Sequence, residues 1–156
     1  MDPETQKRLI KYLSDFVTPA RLNRLQEVLN KRTRAITVVL EDIYQPHNAS
    51  AVLRSCDGFG VQDVHIIENR NRFNVSRGVT IGADQWLTLH KYGNAEAQDT
   101  ENTEQCLSEL KNRGYHIAAT TPDEDNLTVD QLPVDNKLAV VFGAEYEGLT
   151  STALSY

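Results

Sequence analysis

The chain has 156 residues, of which 40% are hydrophobic and 24% charged, and a formal net charge of −6 at pH 7. That length suits one domain that buries roughly two thirds of the surface its extended form would expose, and the composition is ordinary for a soluble globular protein, so disorder is not the default reading. The N-terminus, MDPETQKRLIKYL, carries acidic residues where a secretory signal needs a basic region. No window approaches the roughly 20 apolar residues of a membrane span, so we expect a cytoplasmic protein with no membrane partner.

The two cysteines, Cys56 and Cys106, form no CxxC pair and are read as reduced packing residues. No metal site is expected. The charge is unevenly spread. Residues 1–34 hold eight basic side chains (Lys7, Arg8, Lys11, Arg21, Arg24, Lys31, Arg32 and Arg34) against four acidic ones, which leaves a net charge of −10 on the remainder. An acidic body with a basic arm suits an RNA-binding extension, because phosphate contacts come from local Lys and Arg clusters. A solvated helical face reads the same way on charge alone.

Leu9, Ile10, Leu13, Phe16 and Val17 recur at helical spacing, as do Leu22, Leu25, Val28 and Leu29 after Pro19, which predicts two short amphipathic helices. From Ala35 the pattern becomes AITVVL, a β-branched run suited to a buried strand. A helix follows, with Asn48 near its N-cap and Ala49, Val52, Leu53 and Cys56 as its apolar stripe. VHII at 64–67 is the next strand. Further strands are predicted at WLTLH (86–90), YHIAAT (115–120) and KLAVVF (137–142), with a helix across 101–113. Alternating strands and helices predict an α/β domain with a largely parallel sheet.

Ligands of such sheets bind beyond the carboxyl ends of the strands. Three loops qualify: Tyr44 to Asn48, Thr120 to Asn126, and Gly143 to Thr150. Several familiar sites are excluded. GFGVQD at 58–63 lacks the third glycine of a dinucleotide fingerprint and falls at a helix end, and no phosphate loop, nucleophile elbow or zinc helix occurs. The four histidines, at 47, 65, 90 and 116, are scattered along the chain, and the three in or beside strands are read as structural. Thr150 and Ser151 are good N-cap residues for a last helix carrying Ala153 and Leu154.

Two segments are specific. YQPHNASAVLRSCDGFGVQDVHII at 44–67 resembles the first signature of the SpoU (TrmH) family of RNA ribose 2'-O-methyltransferases, an Asn followed six residues later by an Arg on the helix after the first strand, here Asn48 and Arg54. AVVFGAEYEGLT at 139–150 resembles the second, a strand leading into F-G-x-E-x-x-G-[LIV], here Phe142, Gly143, Glu145, Gly148 and Leu149. The resemblance covers residues 35–156. It implies the α/β trefoil-knot fold, S-adenosylmethionine as methyl donor, and a homodimer with active sites at the subunit interface. The family's third signature, N-[VIL]-[SA]-x-[AS] on a final helix that threads the knot and closes around the cofactor, has no counterpart in the 156 residues. From this we expect the C-terminal knot segment, and with it a complete cofactor site, to be missing.

The resemblance makes Asn48 and Arg54 catalytic candidates, and Thr120, Gly143, Glu145, Gly148 and Leu149 cofactor-binding candidates. Glycine suits backbone that curls tightly without a Cβ, although a tight strand-to-helix turn asks for the same residue. Glu145 is a cofactor or interface ligand or a solvated carboxylate, and Glu147 fits the solvated reading better. Arg54 lies about 150° around its helix from the apolar stripe and points away from the core. The family assigns the matching arginine as base, but a guanidinium normally stays protonated, so positioning of phosphate or of a developing alkoxide remains the alternative. Asn48 orients Arg54 or caps the helix.

The expected organisation is a basic helical RNA-binding extension at 1–34, with Lys7, Arg8, Lys11, Arg21, Arg24, Lys31 and Arg32 toward RNA, and a SpoU-type methyltransferase domain at 35–156. An arm this short resembles that of the tRNA enzymes, which favours tRNA, specifically the D-loop guanosine at position 18. Still open are an rRNA 2'-O-methyltransferase, a noncatalytic RNA-binding or dimerisation relative, and an unrelated nucleotide-binding protein.

Overall fold

Strand β1 (Ile36–Glu41) is buried on both faces from Thr37 onward, as a β-branched run at the centre of a covered sheet must be. In the computed structural model, which describes residues 1–94, 100–122 and 127–156, β1 pairs with β2 (Asp63–Ile67) on one side and with β5 (Lys137–Phe142) on the other. Strand β3 (Thr88–Tyr92) lies outside β2, and β4 (Tyr115–Ala119) lies outside β5. The order is β3-β2-β1-β5-β4, and every pair is parallel.

Side chains alternate across this sheet and build two cores. Val38 and Leu40 of β1, with Val64 and Ile66 of β2, pack against Ala49, Leu53 and Cys56 of helix α3 (Pro46–Phe59) and against Phe73 and Leu87. Val39, Ile67, Tyr92, Ala139 and Val141 face the opposite way. They meet Cys106, Leu107 and Leu110 of α5 (Glu101–Asn112) and Ala153 of α6 (Ser151–Leu154). A short α4 (Arg77–Thr80) is joined to α3 by the Ser76 N–H, which donates to Ser50 Oγ at 2.8 Å.

Two units are distinguished, Met1–Arg32 and Thr33–Tyr156. The first holds α1 (Pro3–Ser14) and α2 (Pro19–Asn30), at the helical stretches read from the sequence. Each starts with proline at its first turn and a capping side chain, Asp2 accepting from Thr5 N–H at 2.9 Å and Thr18 from Arg21 N–H at 3.4 Å. The division falls two residues before the expected boundary. Arg34, counted with the basic arm, instead pairs with the buried carboxylate of Asp63 on β2.

Two expectations shift. The strand read at 86–90 begins two residues later, because a 3-10 turn at Ala83–Gln85 carries Trp86 as its C-cap, Trp86 N–H bonding to Ala83 O at 3.0 Å. Leu87 then drops into the core beside α3. The histidines are not all apart: the rings of His65 and His90 stack at 4.5 Å, since β2 and β3 set these residues side by side. His65 Nδ1 lies 3.2 Å from the Tyr92 hydroxyl, which donates to Glu109 at 3.0 Å, and His90 Nε2 lies 2.9 Å from Asp63. Among the described residues no group of three or more His, Cys, Asp and Glu could hold a metal ion.

Burial above all, with the nearby His90 and Arg113, holds the His65 pKa at about 4, below its ordinary 6.5. In that window the unfolded chain takes up a proton that the folded one refuses, so stability is lost as pH falls from 6.5 toward 4. Urea unfolding across this range is expected to show a slope of up to about 1.4 kcal/mol per pH unit. His65→Phe should flatten it, and an unchanged slope in that variant would assign the proton uptake to another group.

Candidate active site

The chain leaves β1 toward β2 and β3, then crosses to β4 and returns through β5, so the connections diverge between the adjacent carboxyl ends of β1 and β5. Such a switch point opens a crevice in a parallel sheet. Glu41, the last residue of β1, is only 1% exposed there. Its carboxylate accepts from Thr103 Oγ1 on α5 at 2.6 Å and from the N–H and hydroxyl of Thr150 at 2.9 and 2.8 Å. Thr150 in turn caps α6 through Ala153 N–H at 3.1 Å.

Asp42, next along, has φ of 53°, a left-handed conformation that Asp tolerates better than most residues. Its Oδ1 accepts three successive backbone N–H groups, of Asn69, Arg70 and Asn71, at 2.8, 2.9 and 3.2 Å. The loop after β2 is thereby fixed to the end of β1. Sequence reasoning missed both carboxylates, and the signal was two adjacent acids ending an apolar strand.

Beyond β5 the chain turns back on itself. Ala144 and Gly148 exchange backbone hydrogen bonds at 3.0 and 2.9 Å, leaving Glu145, Tyr146 and Glu147 as a three-residue tip. Gly148 has φ of 70°, and a Cβ on Gly143 would stand 2.3 Å from the Gly148 carbonyl. Both signature glycines therefore serve the turn itself: Gly143 lets the returning backbone touch it, and Gly148 supplies the positive φ.

Glu145 reaches from this tip to the other signature. Its carboxylate accepts from Asn48 Nδ2 at 2.8 Å and from Tyr44 N–H at 3.3 Å. Partial burial works against ionisation, but hydrogen bonds from its own N–H, Asn48 and Tyr44 outweigh it and hold the carboxyl below its ordinary value. Asn48 is thus not the cap. Gln45 holds that position with Pro46 at the first turn, and Asn48 sits inside α3, where its amide turns outward to the carboxylate. Glu147 pairs with Arg70 at 2.8 Å, both largely exposed.

A cleft of about 570 Å³ opens beside this hairpin, within the range of small-molecule sites. It is lined by Thr120, Gly143, Glu145, Gly148 and Leu149, so all five cofactor candidates face one space, with Pro122 and Leu154 adding apolar surface. Of the loop after β4, Asp123 to Asn126 lie outside the described residues. Arg54 is exposed on α3 and does not line this cleft. It stands about 9 Å along the helix axis and about 120° around it from Asn48. The basic residues of the first unit are exposed on α1 (Lys7, Arg8, Lys11), on α2 (Arg21, and Arg24 paired with Glu27 at 3.3 Å) and at Lys31, while Arg32 is half-buried.

Residues 35–156 match the profile of the SpoU rRNA Methylase family. The chain belongs to that family. It is 40% identical over 154 residues to a tRNA (guanosine(18)-2'-O)-methyltransferase of Borreliella burgdorferi, a match covering 99% of this chain and 66% of that protein. The crystal structure of the TrmH/SpoU tRNA modifying enzyme of Aquifex aeolicus superposes with a TM-score of 0.74 at 28% identity, over 87% of this chain and 66% of that one. The SpoU methyltransferase AviRb of Streptomyces viridochromogenes, solved with AdoMet, shares the fold at a TM-score of 0.62 and 14% identity, over 80% and 48%. The chain spans about two thirds of the length of the first two relatives.

In this SpoU chain the second signature is a self-contacting hairpin, and its first glycine has no room for a side chain. Gly143→Ala should therefore destabilise the fold by about 1–3 kcal/mol through overpacking. Thermal unfolding measures the cost, and amide chemical shifts of Ala144 and Gly148 should move with it. A variant with unchanged stability and shifts would show that the hairpin opens freely.

Proposed function

We propose that the chain carries the methyl-transfer site of a tRNA (guanosine(18)-2'-O)-methyltransferase, acting in the cytoplasm on the ribose 2'-hydroxyl of the D-loop guanosine. The observation that carries this reading is the cleft at the switch point. Five residues of the family pattern line it, and Glu145 ties it to the helix bearing Asn48 and Arg54. The Borreliella and Aquifex relatives are both tRNA enzymes, which favours tRNA over rRNA.

The cleft fits S-adenosylmethionine in size and in its lining. Leu149, Leu154 and Pro122 offer apolar surface to an adenine, and Thr120 and Glu145 offer polar groups to ribose hydroxyls. When bound, S-adenosylmethionine supplies an electrophilic methyl on a sulfonium. The chain has to hold the 2'-hydroxyl in line with that methyl and manage the hydroxyl proton. Asn48 and the Tyr44 N–H hold the Glu145 carboxylate at the edge of this cleft, where a ligand hydroxyl can approach it.

Arg54 does not line its own chain's cleft, which suits a homodimer in which each Arg54 serves the partner's cleft. It is exposed and makes no ion pair among the described residues, so it is free to meet an RNA phosphate or a developing alkoxide. The seven basic residues of the first unit, Lys7, Arg8, Lys11, Arg21, Arg24, Lys31 and Arg32, bring the phosphate backbone to the protein.

Arg54→Ala should leave stability within about 0.5 kcal/mol, since the side chain is exposed, and reduce single-turnover methyl transfer to tRNA by about 100-fold or more. Arg54→Lys separates two roles. As a positioning fork Arg54 is poorly replaced by Lys at every pH, whereas a base role predicts a Lys variant whose activity rises with pH. Transfer by the Ala variant at the wild-type rate would remove this helix from the active site. Replacing Lys7, Arg8 and Lys11 by Ala should weaken tRNA binding alike for all sequences and lower its salt slope by about one for each phosphate left without a cation.

A further inference from the structure

Tyr146 stands at the tip of the second-signature hairpin with 93% of its surface exposed, the rim position of the cleft that Gly143 and Leu149 line. An aromatic ring in water gains nothing from its position, and this one is mounted on unusually constrained backbone. Ala144 and Gly148 close the turn with two backbone bonds, and Gly143 packs directly against Gly148. Each neighbour of Tyr146 is tied down as well, Glu145 to Asn48 and the Tyr44 N–H, Glu147 to Arg70. Behind them Thr150 is held by the buried Glu41. Tyr44, 69% exposed, lies on the loop that Glu145 grips.

We propose that Tyr146 is a stacking platform for a nucleobase of the RNA, seated at the rim where the reactive ribose must enter. The proposal rests on the methyl-transfer reading above and names a recognition element of that same site. Sequence-tolerant RNA contacts are commonly made by bases laid on aromatic faces, and a ring on a fixed backbone loses little entropy on being covered. The flanking charges narrow the choice of contact. Glu145 is ionised and Glu147 is already matched by Arg70, so the tip offers phosphate no net attraction, and its uncommitted surface is the ring, which a base turned out of its helix or single-stranded can cover. The basic arm and Arg54 are left to carry the phosphates.

The test is fluorescence anisotropy with the full chain, using a tRNA transcript and a short single-stranded RNA, each over a series of KCl concentrations. Tyr146→Ala is expected to weaken RNA binding about 5- to 150-fold, the cost of unstacking one base, and Tyr146→Phe to keep the original affinity. The slope of log Kd against log salt should be the same in all three proteins, because every phosphate contact is kept. The side chain is exposed, so Tyr146→Ala should fold normally, and thermal unfolding verifies this. Unchanged affinity in the Ala variant overturns the proposal, as does a changed salt slope. A loss of S-adenosylhomocysteine binding by calorimetry with RNA binding intact would assign the ring to the cofactor's adenine. A changed sedimentation coefficient with RNA binding intact would assign it to a second copy of the chain. If the unaltered chain binds no RNA, the methyl-transfer reading falls and this proposal with it, an outcome distinct from a chain that binds RNA regardless of Tyr146.

Discussion

A carboxylate buried at the end of a central strand must be matched by donors or the fold does not form, because an unsatisfied buried charge costs several kcal/mol. Glu41 meets that demand with donors from two distant places, the Thr103 hydroxyl of α5 and the N–H and hydroxyl of Thr150. The second pair matters most for the site. Thr150 ends the second signature and caps α6, so fixing it to β1 fixes the returning end of the hairpin whose other end leaves β5. Asp42 extends the same constraint to the loop after β2 by gathering three backbone N–H groups on one oxygen. Two adjacent acids thus determine where two loops and the start of α5 sit around the switch point.

The signature residues divide the work around these acids differently from what their residue types suggest. Gly143 and Gly148 are required by the hairpin's contact with itself. Asn48 is a helix-interior residue whose amide bonds to the opposing loop. Glu145 is the contact between the two signatures, which accounts for an ionised carboxylate in the cleft beside Glu147, whose own charge is matched by Arg70. Individually these exposed contacts are weak. Their effect is to set geometry, because a loop held at both ends and in the middle has few conformations left.

The opposite end of the sheet carries a separate polar network that plays no part in the proposed chemistry. Asp63, at the start of β2, is wholly buried in its side chain and receives Arg34 and His90, while His65 stacks between His90 and Tyr92. Burial by itself would raise the Asp63 carboxyl, but His90 and Arg34 outweigh it and hold it below its ordinary value. These residues join the segment entering β1 to the edge strand β3, where a parallel sheet has the least covering.

The strands at 36–41, 63–67, 115–119 and 137–142 and the helices α1, α2 and α5 follow from local causes: β-branched runs, apolar spacing of three and four, proline at a first turn, and N-cap side chains. For the same reason the family pattern is visible in the chain, since each signature is a short stretch with glycines and polar residues at fixed offsets. What the sequence could not decide is which distant groups meet. Asn48 and Glu145 are separated by 97 residues, and Glu41 and Thr150 by 109. Both pairs become neighbours only because β1 and β5 are adjacent in the sheet. The histidines at 65 and 90 meet because the β2 and β3 register sets them side by side, and Asn48 does not take its expected capping role because Pro46 starts the helix earlier and Glu145 is within reach. Periodicity and capping act over a few residues and are written in the chain. Pairing of polar side chains across strands depends on topology and register, which only the assembled sheet supplies.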